Sequence, residues 1–87
     1  MVAYGVRVPK GKSSRERQGL LELLRRIRSD AGLTQAQMAK KLGQPQSYVS
    51  KYESGERRLD VLELSQVCRA AGISLADFVH LLEGQGP

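Results

Sequence analysis

The sequence predicts an all-α fold, a compact bundle of five short helices, and three observations carry that prediction. Helix-start signals recur: Ser13 with Glu16, Thr34 with Gln37 and Asp60 with Glu63 each pair a short capping residue with Glu or Gln three positions on, and Ser74 with Asp77 is a weaker version. In such a box the short side chain accepts from an orphan helix N–H and the later one reaches back to the N–H of the cap. Stop signals follow at matching intervals, at Gly32, Gly43, Gly55 and Gly72. A glycine there takes the left-handed conformation that closes a helix. Between these marks apolar residues recur at helical spacing. The only candidate strand, "AYGVRV" near the start, is short and has nothing nearby to pair with.

The helices are expected at 14–31, 35–42, 45–53, 61–71 and 75–83. Leu20, Leu24, Ile27 and Ala31 form the apolar stripe of the first, and Met38, Ala39 and Leu42 that of the second. Pro45 suits the first position of the third helix, where its missing N–H would have had no partner. Val49 and Tyr52 are the inward residues of that helix, which leaves Gln46, Ser47, Ser50 and Lys51 on the opposite side. Val61, Leu64, Val67, Cys68 and Ala71 line the fourth helix, and Leu75, Phe78, Val79 and Leu82 the fifth, with Leu81 off the stripe. Only Gly43 and Gln44 separate the second helix from the third, too few residues for an antiparallel pair. A short glycine turn instead sets two helices at a wide angle, as in a helix-turn-helix.

Eighty-seven residues make one domain with a single modest core, divided into a basic arm over 1–13, a helical domain over 14–84 and a tail over 85–87. No apolar run approaches the length of a membrane span or a signal peptide. The single cysteine, Cys68, excludes a disulfide within the chain and points to a reducing cytoplasm. Charge is uneven: residues 1–17 carry +4, residues 18–58 another +4 and residues 59–87 carry −3. A basic front and an acidic end suit a polyanionic partner met by one side of the molecule, although charge alone fits a solubilising surface equally well. Catalysis is disfavoured: His80 has no Asp, Ser or Cys at a spacing that suggests a catalytic group. Cys68 falls on an apolar stripe, and the chain holds too few Cys and His for a metal site.

The ordered set "GLTQAQMAKKLG" followed by "SYVSKYESGER" resembles the lambda-repressor-like (Cro/C1-type, XRE) helix-turn-helix domain. The likeness extends over residues 24–79 and includes Leu33-Thr34-Gln35, the small Ala39, the turn Gly43, and Ser-Lys-aromatic-Glu-x-Gly at set spacing. It implies a helix-turn-helix made by the second and third helices, with the third in the major groove of double-stranded DNA. Gln46, Ser47, Ser50 and Lys51 then fall at base edges, where Gln suits adenine, Lys suits guanine and Ser suits several partners. The resemblance places Gln35, Ser54, Arg57 and Arg58 at the phosphate backbone, with Glu56 a departure from more basic relatives. Tyr48 lies either on the sugar-phosphate backbone or a thymine methyl, or against the second helix. Arg28 and Glu53 match a structural salt bridge that ties the first helix to the end of the third.

The implied function is sequence-specific DNA binding by a small cytoplasmic, nucleoid-associated transcriptional regulator of repressor, controller or antitoxin type. It would need no cofactor and act as a homodimer on a partly palindromic operator, with the dimer contact near the C-terminal helix. A toxin or RNA polymerase is a further candidate partner. The competing reading is a protein-interaction module of the same fold, a toxin-binding antitoxin or a transcription cofactor, with DNA binding secondary. The polar, non-acidic outer side of the third helix favours DNA. The arm over 1–13 is either a leader or a segment that follows DNA.

Overall fold

The computed structural model describes residues 13–84, so the expected arm and tail lie outside the described residues, as does the Ser13 side chain of the first capping box. Five helices follow in order: α1 (Ser13–Asp30), α2 (Gln35–Leu42), α3 (Gln46–Ser54), α4 (Val61–Ala70) and α5 (Leu75–Gly84). No strand occurs among the described residues. No helix among them is long and apolar enough to cross a membrane.

Local chemistry sets the boundaries. Thr34 and Asp60 each close a reciprocal capping box, with Gln37 and Glu63 as the returning side chains. At Ser74 only the forward bond forms, from the Asp77 N–H to the Ser74 hydroxyl at 2.9 Å. Pro45 has extended backbone (φ −65°, ψ 155°) and serves as the N-cap of α3 rather than its first helical residue. Gly32, Gly43, Gly55 and Gly72 all have positive φ. After α1, α2 and α4 the residue following the glycine donates its N–H back to the helix: Leu33 to the Arg28 carbonyl, Gln44 to Ala39 and Ile73 to Cys68. Each satisfies a carbonyl that the helix itself leaves free.

The core gathers Leu21, Leu23, Leu24 and Ile27 of α1, Met38 and Ala39 of α2, Val49 and Tyr52 of α3, Val67 and Cys68 of α4, Ala71 and Phe78. Three expected stripes need correction. Leu20 is only half-buried and Ala31 is exposed, because α1 packs against both α3 and α5 and so buries a broader, shifted face; Ala31 already lies in the turn. Val61 is 67% exposed, since the first turn of α4 stands clear of the core. Val79 is 40% exposed at the edge of α5, close to the 42% of Leu81. The Cys68 thiol is buried, and loss of hydration pushes its pKa up to about 11, which keeps it an inert core group.

Candidate nucleic-acid interface

The outer face of α3 is presented by a frame that holds the helix from behind. Val49 and Tyr52 are fully buried, which fixes the rotation of α3 about its own axis. That rotation leaves Gln46, Ser47, Ser50 and Lys51 exposed together, with Gln44 and Pro45 exposed just before them. These residues are polar or cationic, and no carboxylate stands among them.

The C-terminal end of α3 is anchored by Glu53, which is only 2% exposed. Its carboxylate accepts from Arg28 Nε at 2.6 Å and Arg28 Nη2 at 3.0 Å, a fork-on-fork geometry that fixes direction as well as distance. The third Arg28 nitrogen donates to the Leu33 carbonyl at 2.9 Å, so one guanidinium joins α1, the α1–α2 turn and α3. The hydrogen bond to Glu53 raises the pKa of Arg28 against the opposing cost of burial. Gln35 adds a donor to Glu53 Oε1 at 3.1 Å, and Arg25 caps the Glu53 main-chain carbonyl at 3.1 Å. Gln35 thus braces Glu53 with one amide hydrogen, and the other has no partner among the described residues.

The loop after α3 is built differently from the other helix ends. Arg17 of α1 donates to the Gly55 carbonyl at 2.8 Å. A Cβ at Gly55 (φ +91°) would meet Leu21 Cδ1 at 3.1 Å, so the backbone passes close to α1. Here the Glu56 N–H turns to the Ser54 hydroxyl, and it is Arg57, one residue later, whose N–H returns to the Lys51 carbonyl at 3.1 Å. The extra residue brings Arg57 back over the helix. Its guanidinium carbon lies 4.6 Å from the centroid of the Tyr48 ring. The same guanidinium donates to Glu63 of α4 at 2.9 and 3.2 Å and to the Arg58 carbonyl at 2.9 Å. Tyr48 in turn meets Tyr52 edge-on, with ring centroids 5.7 Å apart. Arg57 holds the Glu63 carboxyl below its usual pKa range, helped by the Asp60 N–H, whereas burial and then Glu63 push the Tyr48 phenol up.

Of the residues singled out by sequence, Gln46, Ser47, Ser50 and Lys51 share one exposed face, and Ser54 and Arg58 are exposed at its end. The single Ser54 hydroxyl hydrogen has two acceptors within its own turn, the Lys51 carbonyl at 3.1 Å and the Glu56 carboxylate at 3.2 Å. Sequence reasoning missed Arg17, Arg25 and Glu63. Arg17 and Arg25 had no signal beyond their place on α1, opposite no particular partner; Glu63 was read only as a capping residue.

A family model described as helix-turn-helix (HTH_3) matches residues 24–78. The chain belongs to the XRE-family helix-turn-helix proteins. This is a family of DNA-binding transcription regulators. Among solved structures, an XRE-family like protein from Pseudomonas syringae pv. tomato is 45% identical, over 90% of this chain and 95% of that one, with a TM-score of 0.81. The clp gene regulator ClgR from Corynebacterium glutamicum is 32% identical over 79% of this chain and 88% of its own, with a TM-score of 0.70. A mutant of the restriction–modification controller protein C.Esp1396I shares the fold, with a TM-score of 0.74 at 23% identity over 80% of this chain and 93% of that one. No curated protein matches the chain.

Proposed function

We propose that this XRE-family protein regulates transcription by binding a partly palindromic operator as a homodimer, with α3 of each copy in the major groove. The exposure of Gln46, Ser47, Ser50 and Lys51 on one uncharged-to-basic face, rotated outward by buried Val49 and Tyr52, carries this reading. These side chains supply the donors and acceptors that distinguish base pairs in that groove. Gln35, Ser54 and Arg58 lie at the ends of the face, where contacts to phosphate fix register without reading sequence. Tyr48 and Arg57 stand between the two sets, stacked on each other.

The dimer follows from the need to read two half-sites about one helical turn apart. Its contact is assigned to the neighbourhood of α5, where Val79 and Leu81 are exposed. Binding-site selection from a randomised duplex pool tests the function. Enrichment of an inverted repeat, bound by two chains per duplex in sedimentation, is the expected result. Failure to enrich any sequence at moderate salt would favour a protein-interaction module instead, and one chain on a single half-site would contradict the dimer.

A further inference from the structure

The phosphate-gripping role that the resemblance implies for Arg57 conflicts with its surroundings. Both terminal nitrogens are committed to Glu63, and Nη1 also donates to the Arg58 carbonyl. A bidentate grip on phosphate uses the same fork. It would therefore require Arg57 to abandon Glu63, and the released carboxylate would then face the incoming anion. The Arg57–Glu63 pair has no net charge to offer DNA. Arg58, by contrast, is exposed and makes no ion pair among the described residues.

What the pair does instead is visible in its geometry. Glu63 is itself fixed at the start of α4, where its carboxylate accepts from the Asp60 N–H at 3.0 Å in the capping box. Arg57 is fixed from the other side by its N–H to the Lys51 carbonyl, one turn along α3 from Tyr48. The guanidinium therefore sits over the ring from an anchored position, and Tyr52 blocks a second direction edge-on. A tyrosine has two side-chain torsions to restrain, and here Tyr52 of α3 and Arg57 of the following loop, itself held by Glu63 of α4, bear on the ring from two sides. Tyr48 follows Ser47 directly in the exposed face and is only half-buried, so part of the ring remains available to a ligand.

We propose that Tyr48 is a specificity-determining residue of the α3 surface, and that Arg57, clamped by Glu63, is the positioning residue that holds its ring in one orientation. This rests on the DNA-binding function proposed above and assigns a different task to one of its cations. A fixed aromatic edge beside Ser47 discriminates a thymine methyl from the polar edges of other bases, because a ring that cannot swing away clashes with or desolvates the wrong one.

The experiment uses the full chain, with equilibrium binding to the selected duplex and to a scrambled duplex at several salt concentrations. Arg58→Ala is expected to weaken both duplexes alike and to lower the log–log salt slope by about 1.8 per bound dimer, the signature of one lost phosphate contact in each of the two chains. The Arg57→Ala, Glu63→Gln variant, which removes both charges of the pair, is expected to leave the slope unchanged and to reduce the ratio of specific to scrambled binding by about a hundredfold, the order expected for one misread base pair in each of two half-sites. Tyr48→Ala should lose the same ratio, and Tyr48→Ala combined with Arg57→Ala should lose no more than either alone. Glu63→Gln keeps a capping side chain but removes the clamp, which protects the test against a simple folding failure. It is expected to lower the ratio and steepen the slope as the freed Arg57 finds phosphate. A slope for the Arg57→Ala, Glu63→Gln variant that falls like that of Arg58→Ala, with the ratio intact, overturns the proposal and restores Arg57 as a phosphate contact. Equal binding of both duplexes by the unaltered protein would instead contradict the DNA-reading function itself.

Discussion

At Glu53 a carboxylate that is 2% exposed accepts from Arg28 twice and from Gln35 once, while its main-chain carbonyl takes a bond from Arg25. The two partners of the ion pair are not equally hidden: the side chain of Arg28 is 15% exposed and that of Glu53 only 2%. Removing one member of a buried pair costs about 3–5 kcal/mol because the other is left without compensation. The more deeply buried member suffers more. Arg28→Ala is therefore expected to lower stability by that amount and Glu53→Ala by clearly less, as read from urea midpoints at constant slope. Equal losses would contradict the asymmetry. Tyr52 predicts the opposite sign. Its hydroxyl is buried with no hydrogen-bond partner among the described residues, and burial pushes its pKa upward. An unsatisfied buried hydroxyl costs about 1–3 kcal/mol. Tyr52→Phe should thus raise the melting temperature by several degrees, since about 1 kcal/mol shifts a domain of this size by roughly 4–8 °C. A lower melting temperature would show that the hydroxyl has a partner, such as an ordered water.

The helix ends explain both what was readable and what was not at the scale of elements. Thr34, Asp60 and the four glycines are local signals, acting within three or four residues, and their boundaries could be read directly from the chain. The two faces of α3 were equally legible, because Val49 and Tyr52 share a helical spacing that leaves Gln46, Ser47, Ser50 and Lys51 outside. The Arg57–Tyr48–Glu63 stack was not legible. It depends on a one-residue shift at the end of α3 and on where α4 begins, neither of which is encoded in any periodicity. Arg17 to Gly55 spans 38 residues of sequence and is set by packing alone. The shifted stripe of α1 has the same origin, since a helix with two neighbours buries more than one line of side chains.

Two measurements probe these ends. Gly43 and Gly55 are both left-handed, and alanine in that conformation costs about 1–2 kcal/mol. A Cβ at Gly43 has open space, whereas one at Gly55 meets buried Leu21 at 3.1 Å. Thermal or urea unfolding should therefore show Gly55→Ala more destabilised than Gly43→Ala; the reverse order would refute the close approach of the loop to α1. Glu63, whose carboxyl is held low by Arg57 and the Asp60 N–H, stabilises the fold above the ordinary carboxylate pKa of about 4.3. That contribution is lost as pH falls through its lower folded-state value. Glu63→Gln should flatten the loss of stability below about pH 4.3, and an unchanged acid limb would mean that the pair does not hold in solution.

For the whole molecule, the balance of charge and the rigidity of the frame act together. A net charge of +5 concentrated in the front two-thirds of the chain brings a polyanion to the protein without regard to sequence. In the proposed function, discrimination then falls to the few exposed side chains of α3, held by Glu53 behind and by Arg57 over Tyr48 at one end. The most direct measurement is duplex selection repeated with the unaltered protein and with a Gln46→Ala, Lys51→Ala double variant. An inverted repeat from the first, and loss of preference at symmetric positions in both half-sites from the second, is the expected outcome. The same motif recovered from both proteins would show that the outer face of α3 does not read DNA.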